Sequence, residues 1–301
     1  MVIPNQKVHL PLLEEKDVTL YIKREDTVHP FVSGNKYRKL KYNVIEAKKR
    51  EYTGLLTFGG AFSNHIAATA FAGKEAELKT LGVIRGEELI DNWQENPTLK
   101  QAKEHGMEFH FVSRSDYREK DSTEFIKKLE ALFGDFYLLP EGGTNTLAVK
   151  GCEEILNETD TDFDFICSCV GTGGTVAGLI NSSKLHQTVL GFPALKGDFL
   201  KQDILKFAGN KNWELISDYH FGGYAKVNEN LIDFINTFKK ETGIPLDPIY
   251  TGKMLFGIFD LIKKDTFKKG AQILAIHTGG LQGIKGMNLV LKKRSLPLLD
   301  V

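Results

Sequence analysis

A glycine-rich loop at residues 171–174 is the most distinctive candidate for ligand binding in this chain. It reads Gly-Thr-Gly-Gly, follows an apolar segment and precedes Thr175 and a run of small residues. Glycines let the backbone approach a ligand closely, and the free N–H groups at the start of a helix bind anions. The dinucleotide fingerprint G-x-G-x-x-G fails because Val176 occupies its last glycine position, and the Gly-Lys-Ser/Thr ending of a Walker A loop is absent. The loop therefore predicts a phosphate-binding cup, with a tight turn needed only for packing as the alternative.

Two lysines near the start of the chain, Lys36 and Lys39, are the second candidate because they could carry amine chemistry. Ser33 or Asn35 is expected to cap the helix that follows, which places Lys36 in its first turn and Lys39 one turn later on the same side. The helix dipole disfavours a cation in the first turn and lowers the pKa of an amine there, as a Schiff-base lysine requires. The alternative is a pair of solvated surface lysines.

Short apolar segments alternate with helical patterns along the chain. The strands and helices that they predict must position the glycine-rich loop and the two lysines. Strands are predicted at residues 54–58, 79–84, 108–112, 136–139, 163–170, 188–192 and 272–276. An amphipathic helix is predicted over 36–50, where apolar residues recur at three- and four-residue steps. The pattern predicts an α/β fold with mostly parallel sheets flanked by helices. Since glycine clusters follow several of these strands, their loops are expected to face one pocket.

Length, charge and cysteine content limit the class of protein. The 301 residues include 39 basic and 39 acidic side chains and are 42% hydrophobic, which excludes disorder and gives no electrostatic case for binding nucleic acid or an anionic membrane. Neither a signal peptide nor a membrane helix is expected, so the prediction is a soluble, cytoplasmic protein that acts on a small molecule. Three cysteines and no zinc-type spacing predict neither a disulfide framework nor a metal. Cys167 and Cys169 are expected to be core residues, with a redox pair as the alternative.

Six ordered motifs carry a resemblance to a known family. They are Gly34-Asn35-Lys36-x-Arg38-Lys39-Leu40, Gly59-Gly60-x-x-Ser63-Asn64-His65, Pro140-Glu141-Gly142-Gly143-Thr144-Asn145, the Gly171–Gly174 loop, Asp247-Pro-x-Tyr250-Thr251-Gly252-Lys253 and His277-Thr278-Gly279-Gly280. Together they resemble the 1-aminocyclopropane-1-carboxylate deaminase / D-cysteine desulfhydrase family of pyridoxal-phosphate enzymes. The resemblance runs from about residue 21 to residue 283.

The resemblance implies a fold, a cofactor and an assembly. The fold is the two-domain, tryptophan synthase β-like fold (fold type II of pyridoxal-phosphate enzymes). Residues 1–45 and 146–301 would form a large cofactor-binding domain, and residues 46–145 a small inserted domain that moves to close the cleft over the substrate. The implied cofactor is pyridoxal 5′-phosphate, the implied substrate is a small amino acid, and the implied assembly is a homodimer.

The resemblance also implies roles for individual residues. Lys36 matches the family's Schiff-base lysine, and Lys39 matches a lysine beside the cofactor phosphate. Asn64 would contact the pyridoxal 3′-oxygen, and Thr251 would contact the pyridine nitrogen. The phosphate would be bound by Gly171, Thr172, Gly173, Gly174 and Thr175. The residues implied at the substrate are Ser63, Asn64, His65, Tyr224, Tyr250, Thr278 and Gly279, of which Ser63, Tyr224 and Tyr250 would take part in catalysis with Lys36. Taken alone, Ser63 and Asn64 could be helix N-caps and Tyr224 a core aromatic residue.

Departures from the family concern the substrate more than the cofactor. Many relatives carry an arginine where this chain has Ala67, and residues 146–152 lack the usual glycine and tyrosine. Family deaminases carry a glutamate and a leucine at the positions of Thr251 and Thr278, whereas the desulfhydrases carry small hydroxyl residues. We therefore expect a D-cysteine desulfhydrase. The alternatives are the cyclopropane-acid deaminase, an enzyme for another D-amino acid with a β leaving group, and a pyridoxal-phosphate-binding protein without turnover.

Overall fold

The computed structural model describes residues 3–197 and 199–300 as an α/β protein. The strands are β1 (Asn5–Lys7), β2 (Thr19–Lys23), β3 (Gly54–Gly59), β4 (Lys79–Arg85), β5 (Glu108–Val112), β6 (Tyr137–Leu139), β7 (Phe165–Val170), β8 (Thr188–Pro193), β9 (Trp213–Leu215) and β10 (Gln272–Ile276). The α-helices are α1 (Pro11–Glu15), α2 (Asn35–Lys49), α3 (Asn64–Glu75), α4 (Pro97–Glu104), α5 (Arg114–Arg118), α6 (Thr123–Phe133), α7 (Thr146–Glu153), α8 (Gly174–Ser182), α9 (Phe199–Leu205), α10 (Glu229–Thr242), α11 (Thr251–Lys263) and α12 (Gly283–Lys293).

The larger sheet has the strand order β1-β2-β10-β7-β8-β9, and its neighbouring strands are parallel except for β1 and β2. Its strand β7 is buried on both faces. Cys167 and Cys169 pack in one core cluster with residues of α10 and α11, whereas Ile166 and Val170 pack on the other face with Leu179 of α8. Because helices cover both faces, β7 is apolar along its length instead of alternating.

The smaller sheet has the order β5-β4-β3-β6, and its strands are all parallel. Leu55 of β3 packs with Leu40 of α2 and Ala68 of α3 on one face. Leu56 packs on the opposite face with Leu129 of α6. The carboxyl ends of these parallel strands therefore share one edge, the edge at which α/β proteins bind ligands.

The predicted α/β class with mostly parallel sheets is confirmed, and the seven predicted strands are present with ends shifted by at most two residues. The strands that the prediction missed are β1, β2 and β9. Two of these have three residues each, which is too short for a periodic signal, whereas Leu20 and Ile22 of β2 do alternate with more exposed residues.

The two sheets draw on separate stretches of chain, residues 54–139 for the smaller and residues 5–23 and 165–276 for the larger. The division into domains at residues 45/46 and 145/146, and the closure of the cleft, remain predictions. Within the described ranges, no helix is both long enough and apolar enough to cross a bilayer.

Candidate active site

A cavity of about 740 Å³ lies at the carboxyl ends of strands from both sheets, between the loops that follow β3, β6, β7 and β10. The predicted site residues that line it are Lys36, Lys39, Ser63, Asn64, His65, Gly171, Thr172, Gly173, Thr175, Tyr224, Tyr250, Thr278 and Gly279. Gly174 and Thr251 do not line it. The fold thus brings residues that are far apart in the sequence to one cavity, as the glycine clusters predicted.

Helix α2, which carries both lysines, begins at Asn35 after an N-cap at Gly34. Gly34 has a φ of 63°, and a Cβ atom there would lie 1.9 Å from the carbonyl oxygen of Thr278. Because the N-cap is a glycine, no side chain caps α2, and the expectation that Ser33 or Asn35 does so is wrong. The reason is that Asn35 is already helical and its side chain turns to Thr175, donating from Nδ2 to Oγ1 at 2.8 Å.

Lys36 lies in the first turn of α2 and lines the cavity. Its Nζ donates to Oδ1 of the neighbouring Asn35 at 3.1 Å rather than to a carboxylate. Burial lowers the pKa of Lys36, and the nearby Cys152, Cys169 and Asp247 oppose this shift only in part. A lowered pKa favours the neutral amine, which is the form that attacks an aldehyde to form a Schiff base.

Lys39 lies one turn further along α2 and is 2% exposed. Among the described residues its Nζ donates to three neutral oxygens: the Gly142 carbonyl at 3.0 Å, Thr144 Oγ1 at 2.9 Å and Thr172 Oγ1 at 3.3 Å. Burial, with the charge of Lys36 adding to it, lowers the pKa of Lys39 to about 7. A buried amine without a countercharge is suited to an anionic ligand, since the anion would stabilise its protonated form.

The start of helix α8 supplies the second part of an anion site beside Lys39. Gly171, Thr172 and Gly173 line the cavity immediately before the helix, and Gly173 is its N-cap with a φ of 81°. The first N–H groups of a helix lack intrahelical acceptors and bind anions, and no acidic residue occupies the first turn of α8. Together with Thr175, this loop fits the phosphate group that the sequence predicted.

Ser63, Asn64 and His65 form another part of the cavity wall, at the start of helix α3. Ser63 is the N-cap of α3, and its Oγ accepts from the Ile66 N–H at 3.3 Å. Asn64 is the first helical residue and does not cap, because its Oδ1 accepts from Gln282 Nε2 at 2.9 Å. Both residues line the cavity, so the capping role of Ser63 coexists with a place in the wall.

His65 is a buried imidazole with one nitrogen still available. Its Nε2 lies 2.8 Å from Thr57 Oγ1, whereas its Nδ1 is buried without a hydrogen-bond partner in the described residues. Burial lowers the pKa of His65 well below its usual value, and the charges of Lys36 and Lys39 add to this shift. A neutral His65 lining the cavity is a hydrogen-bonding group for a ligand and not a cation.

Tyr250 and Tyr224 are neighbours in the cavity wall, with ring centroids 6.3 Å apart in an edge-to-face arrangement. Tyr250 is the N-cap of α11, and Tyr224 lies on the loop between β9 and α10 and is 42% exposed. The core-residue alternative for Tyr224 therefore does not hold. Desolvation of the hydroxyl groups raises the pKa of both phenols, so both groups remain protonated and can donate hydrogen bonds.

Thr251 is fully buried, and the structure does not bring it to the cavity wall. Its Oγ1 donates to Asp247 Oδ1 at 2.8 Å and accepts from the Asp247 N–H at 2.9 Å. Asp247 also accepts from the N–H groups of Ile249, Tyr250 and Thr251, which fixes the turn before α11. Asp247 therefore holds the hydroxyl group of Thr251 in this structure, and the contact of Thr251 with a pyridine nitrogen remains a prediction.

Thr278 and Cys169 form an uncharged part of the wall. The Cys169 Sγ lies 3.0 Å from Thr278 Oγ1, and burial raises the pKa of Cys169 to about 12. Cys167 is buried in the core of the larger sheet, where burial also raises its pKa. Both cysteines are free, buried thiols, which agrees with the prediction that they are core residues and gives no support for a redox pair.

Charged residues that the sequence analysis did not single out also line the cavity. They are Arg85, Glu88, Arg114, Lys226 and Arg294, together with Glu141 of the Pro140 motif. Arg85 ends β4 immediately before Gly86, which is the one sequence signal that could have found it, since strand ends face the ligand edge. Ala67 lines a separate cavity of about 140 Å³ instead.

The residues present fit pyridoxal phosphate. The α8 N-terminus and Lys39 would hold the phosphate, Lys36 would bond the aldehyde carbon, and Asn64 lines the same cavity. No group of His, Cys, Asp or Glu side chains suited to a metal ion occurs in the described parts of the chain.

Comparisons with known proteins agree with this geometry. A sequence model of the family described as pyridoxal-phosphate dependent enzyme matches residues 2–279. The chain is 32% identical over 288 residues to a putative 1-aminocyclopropane-1-carboxylate deaminase of Pyrococcus furiosus, covering 88% of this chain and 85% of the relative. It is 33% identical over 295 residues to the mitochondrial bifunctional D-cysteine desulfhydrase/1-aminocyclopropane-1-carboxylate deaminase of Arabidopsis thaliana, covering 88% of this chain and 73% of the relative. A crystal structure of an ACC deaminase homologue aligns with a TM-score of 0.79 and 29% identity over 94% of this chain and 90% of the other.

Proposed function

This chain belongs to the family of pyridoxal-phosphate-dependent enzymes, with relatives among the 1-aminocyclopropane-1-carboxylate deaminases and D-cysteine desulfhydrases, and we propose that it is a D-cysteine desulfhydrase. The predicted family, tryptophan synthase β-like fold and cofactor are confirmed by the same findings. The proposed reaction converts D-cysteine and water into pyruvate, ammonia and hydrogen sulfide.

The side chains of the cavity can perform the proton transfers of this reaction. Bound pyridoxal phosphate supplies an electron sink for the negative charge that develops at the substrate Cα. Lys36, whose pKa burial lowers, is the proposed base that takes the Cα proton on Nζ. The protonated hydroxyl groups of Tyr250 and Tyr224 are proposed to donate to the departing sulfur, and Ser63 to contact the substrate carboxylate.

The observation that carries the choice of D-cysteine is the uncharged wall at Thr278. Thr278 and Cys169 are both neutral there, and the buried carboxylate of Asp247 does not line the cavity. The resemblance implies a glutamate of the family deaminases at the position of Thr251, and a carboxylate at the pyridine nitrogen would strengthen the electron sink. This chain has no carboxylate at residue 251, and Asp247 holds the hydroxyl group there. Opening a ring with no removable Cα proton needs that stronger sink. A neutral wall suffices for elimination of a good leaving group such as hydrosulfide.

The test is release of 2-oxo acid from D-cysteine, L-cysteine and the cyclopropane acid by the same holoenzyme. We expect pyruvate and an equal amount of sulfide from D-cysteine, and little or no 2-oxobutanoate from the cyclopropane acid. Lys36→Ala should release neither product, and borohydride should fix the cofactor covalently on the Lys36 peptide of the parent enzyme. Faster turnover of the cyclopropane acid would overturn the proposal and favour the second candidate, a deaminase, which the name of the Pyrococcus furiosus relative supports.

A further inference from the structure

Arg85 is a cation in the cavity wall to which the proposed reaction gives no role. It is the last residue of β4, and the carboxyl end of that strand faces the cavity. Its Cζ lies 5.6 Å from the centre of the Tyr117 ring, and a Cβ atom on Gly60 would lie 3.5 Å from its Nη2. The guanidinium group is therefore held between an aromatic ring and the loop that leads to Ser63.

The aromatic support of Arg85 is itself fixed. Tyr117 is 4% exposed, and its hydroxyl group donates to Glu141 Oε1 at 2.8 Å. Lys120 pairs with the other oxygen of Glu141 at 3.4 Å. A ring that is fixed in this way gives the guanidinium a cation–π surface and limits its positions, so its N–H donors are preorganised before a ligand arrives.

Charge in the cavity wall is unevenly distributed. The basic lining residues are Lys36, Lys39, Arg85, Arg114, Lys226 and Arg294, and the acidic ones are Glu88 and Glu141. Glu88 pairs with Arg114, and Glu141 pairs with Lys120. The arginine ion pairs in the described ranges involve Arg24, Arg38, Arg50 and Arg114, and Arg85 takes part in none of them. Arg85 thus keeps its donors for a ligand.

Arg85 lines the same cavity as Lys36, Tyr224 and Tyr250. Ser63 is the residue proposed to contact the substrate carboxylate, and Tyr224 and Tyr250 are those proposed to meet the departing β-substituent. The acidic lining residues Glu88 and Glu141 already have basic partners, Arg114 and Lys120. The guanidinium of Arg85, which forms no ion pair among the residues that the structure describes, is therefore suited to a second negative charge, one on the substrate side chain.

We propose that Arg85 selects amino acids whose β-substituent carries an oxyanion, such as a sulfate ester or a phosphate ester, and that aspartate, whose second carboxylate cannot leave, binds as an unreactive analogue. The inference rests on the proposed function for the placement of the substrate, and it extends that function from D-cysteine to a substrate class. The planar donors of a guanidinium group match two oxygens of such an anion. For D-serine O-sulfate, elimination breaks the Cα–H and Cβ–O bonds, the proton goes to Lys36 and the electron pair leaves with sulfate. Water then gives pyruvate and ammonia.

The first test measures binding and needs no elimination. Holoenzyme is titrated by calorimetry with aspartate and its neutral isostere asparagine, each as both enantiomers. We expect the parent enzyme to favour aspartate by about tenfold or more, the effect of one charge-assisted hydrogen bond. Arg85→Gln should lose this preference, and Arg118→Gln, an exposed arginine outside the cavity wall, should keep it. Equal binding of the two ligands by the parent enzyme, or an unchanged preference in Arg85→Gln, would overturn the inference.

The second test uses two substrates that give the same products apart from the leaving group, D-serine O-sulfate and β-chloro-D-alanine. Arg85→Gln should lower kcat/KM for the sulfate ester about tenfold or more and leave that for the chloride within about twofold. An equal fall for both substrates would assign Arg85 to the common chemistry and overturn the selection.

A parent enzyme that prefers aspartate but releases no sulfide from D-cysteine would overturn the proposed function alone. One that releases sulfide but does not distinguish aspartate from asparagine would overturn the role of Arg85 alone.

Discussion

Lys253 Nζ lies 2.8 Å from the carbonyl oxygen of Gly223, in the loop that carries Tyr224. The same amine donates to the carbonyl oxygen of His220 at 2.9 Å, and Lys253 is 2% exposed. Lys253 belongs to the first turn of α11, whose N-cap is Tyr250. The start of one helix therefore positions both tyrosines of the cavity, one directly and the other through its loop.

Replacing Lys253 with methionine should lower kcat without loss of the cofactor. The 220–225 loop contains Phe221 and Ala225 with φ values of 55°, a conformation that needs outside support. Without the two hydrogen bonds we expect Tyr224 to move and kcat for D-cysteine to fall about tenfold or more. Lys240→Met, an exposed lysine of α10, is the control. Loss of the visible cofactor absorbance in Lys253→Met would show a general structural role instead.

The same residue predicts a pH dependence. Burial lowers the pKa of Lys253 to about 8, below its value of 10.5 in an exposed lysine. Below pH 8 the amine is an ammonium group with three donors for the two carbonyl oxygens, and above pH 8 it loses a donor and its charge. We therefore expect kcat to decline above about pH 8, a decline that Lys253→Met should not show. A decline of the same size in both enzymes would assign it to another group.

Lys39 predicts that anion binding weakens as the pH rises. Burial lowers the pKa of Lys39 to about 7 in the free site, so the amine is largely neutral at pH 9. A bound anion favours the protonated amine, so binding takes up a proton above pH 7 and the affinity falls. Sulfate, whose charge is constant between pH 6 and 9, should therefore bind the apoenzyme more weakly at pH 9 in a calorimetric titration. Lys39→Met should bind weakly at every pH, and exposed Lys48→Met should behave like the parent. Affinity independent of pH in the parent would contradict this role.

The close approach of Gly34 to Thr278 predicts a large loss of stability on adding one methyl group. A Cβ atom at residue 34 would lie 1.9 Å from the Thr278 carbonyl oxygen, in a backbone with a φ of 63°. We expect Gly34→Ala to lower the free energy of unfolding by roughly 2 to 4 kcal/mol. Gly243→Ala is a matched control because Gly243 has a φ of 72° and open space around it, so it should lose only about 1 kcal/mol. Equal losses in urea denaturation would mean that backbone strain alone decides the effect.

The parts of the site that the sequence predicted are those with short-range signals. Lys36 and Lys39 share one helix face by their spacing, and the glycines of the 171–174 loop follow a strand whose apolar pattern is plain. The helix cap was predicted wrongly because Ser33 and Asn35 are suitable cap residues in isolation. The approach of Thr278 from residues far along the chain requires a glycine at the cap position instead.

Arg85 was missed for a related reason, and so was the contact that Asp247 makes within its motif. Arg85 is a single arginine at a strand end, and its surroundings, Tyr117 and Gly60, come together only by packing. Asp247 precedes Thr251 by four residues, and nothing in that spacing says that the carboxylate captures the hydroxyl group. The resemblance correctly predicted the cofactor. The packing around Arg85 and the hydrogen bond of Asp247 depend on the folded positions of neighbouring groups, which the sequence motifs do not contain.

Thr251→Val should lower the free energy of unfolding, because it removes the hydroxyl group that is hydrogen-bonded to Asp247. Valine has nearly the same shape, but it leaves the Asp247 N–H without its acceptor at 2.9 Å and the carboxylate without its donor at 2.8 Å. Both groups are buried, so we expect the free energy of unfolding to fall by about 2 kcal/mol. Thr251→Ser keeps the hydroxyl group and should lose much less. A fall of equal size in both variants would assign the effect to packing of the methyl group.

Thr251→Glu introduces the residue of the family deaminases. It tests whether residue 251 contacts the pyridine nitrogen, as the resemblance implies, or Asp247, as in the structure. If Thr251 faced the pyridine nitrogen, glutamate would strengthen the electron sink and raise turnover of the cyclopropane acid. In the structure, Thr251 is 0% exposed and its Oγ1 lies 2.8 Å from Asp247 Oδ1, so a second carboxylate would enter a buried site beside the first. We therefore expect lower stability in urea, lower D-cysteine turnover and no gain of 2-oxobutanoate from the cyclopropane acid. A clear gain in that product would mean that residue 251 reaches the cofactor after all, and that the Thr251–Asp247 hydrogen bond is given up when the cofactor binds.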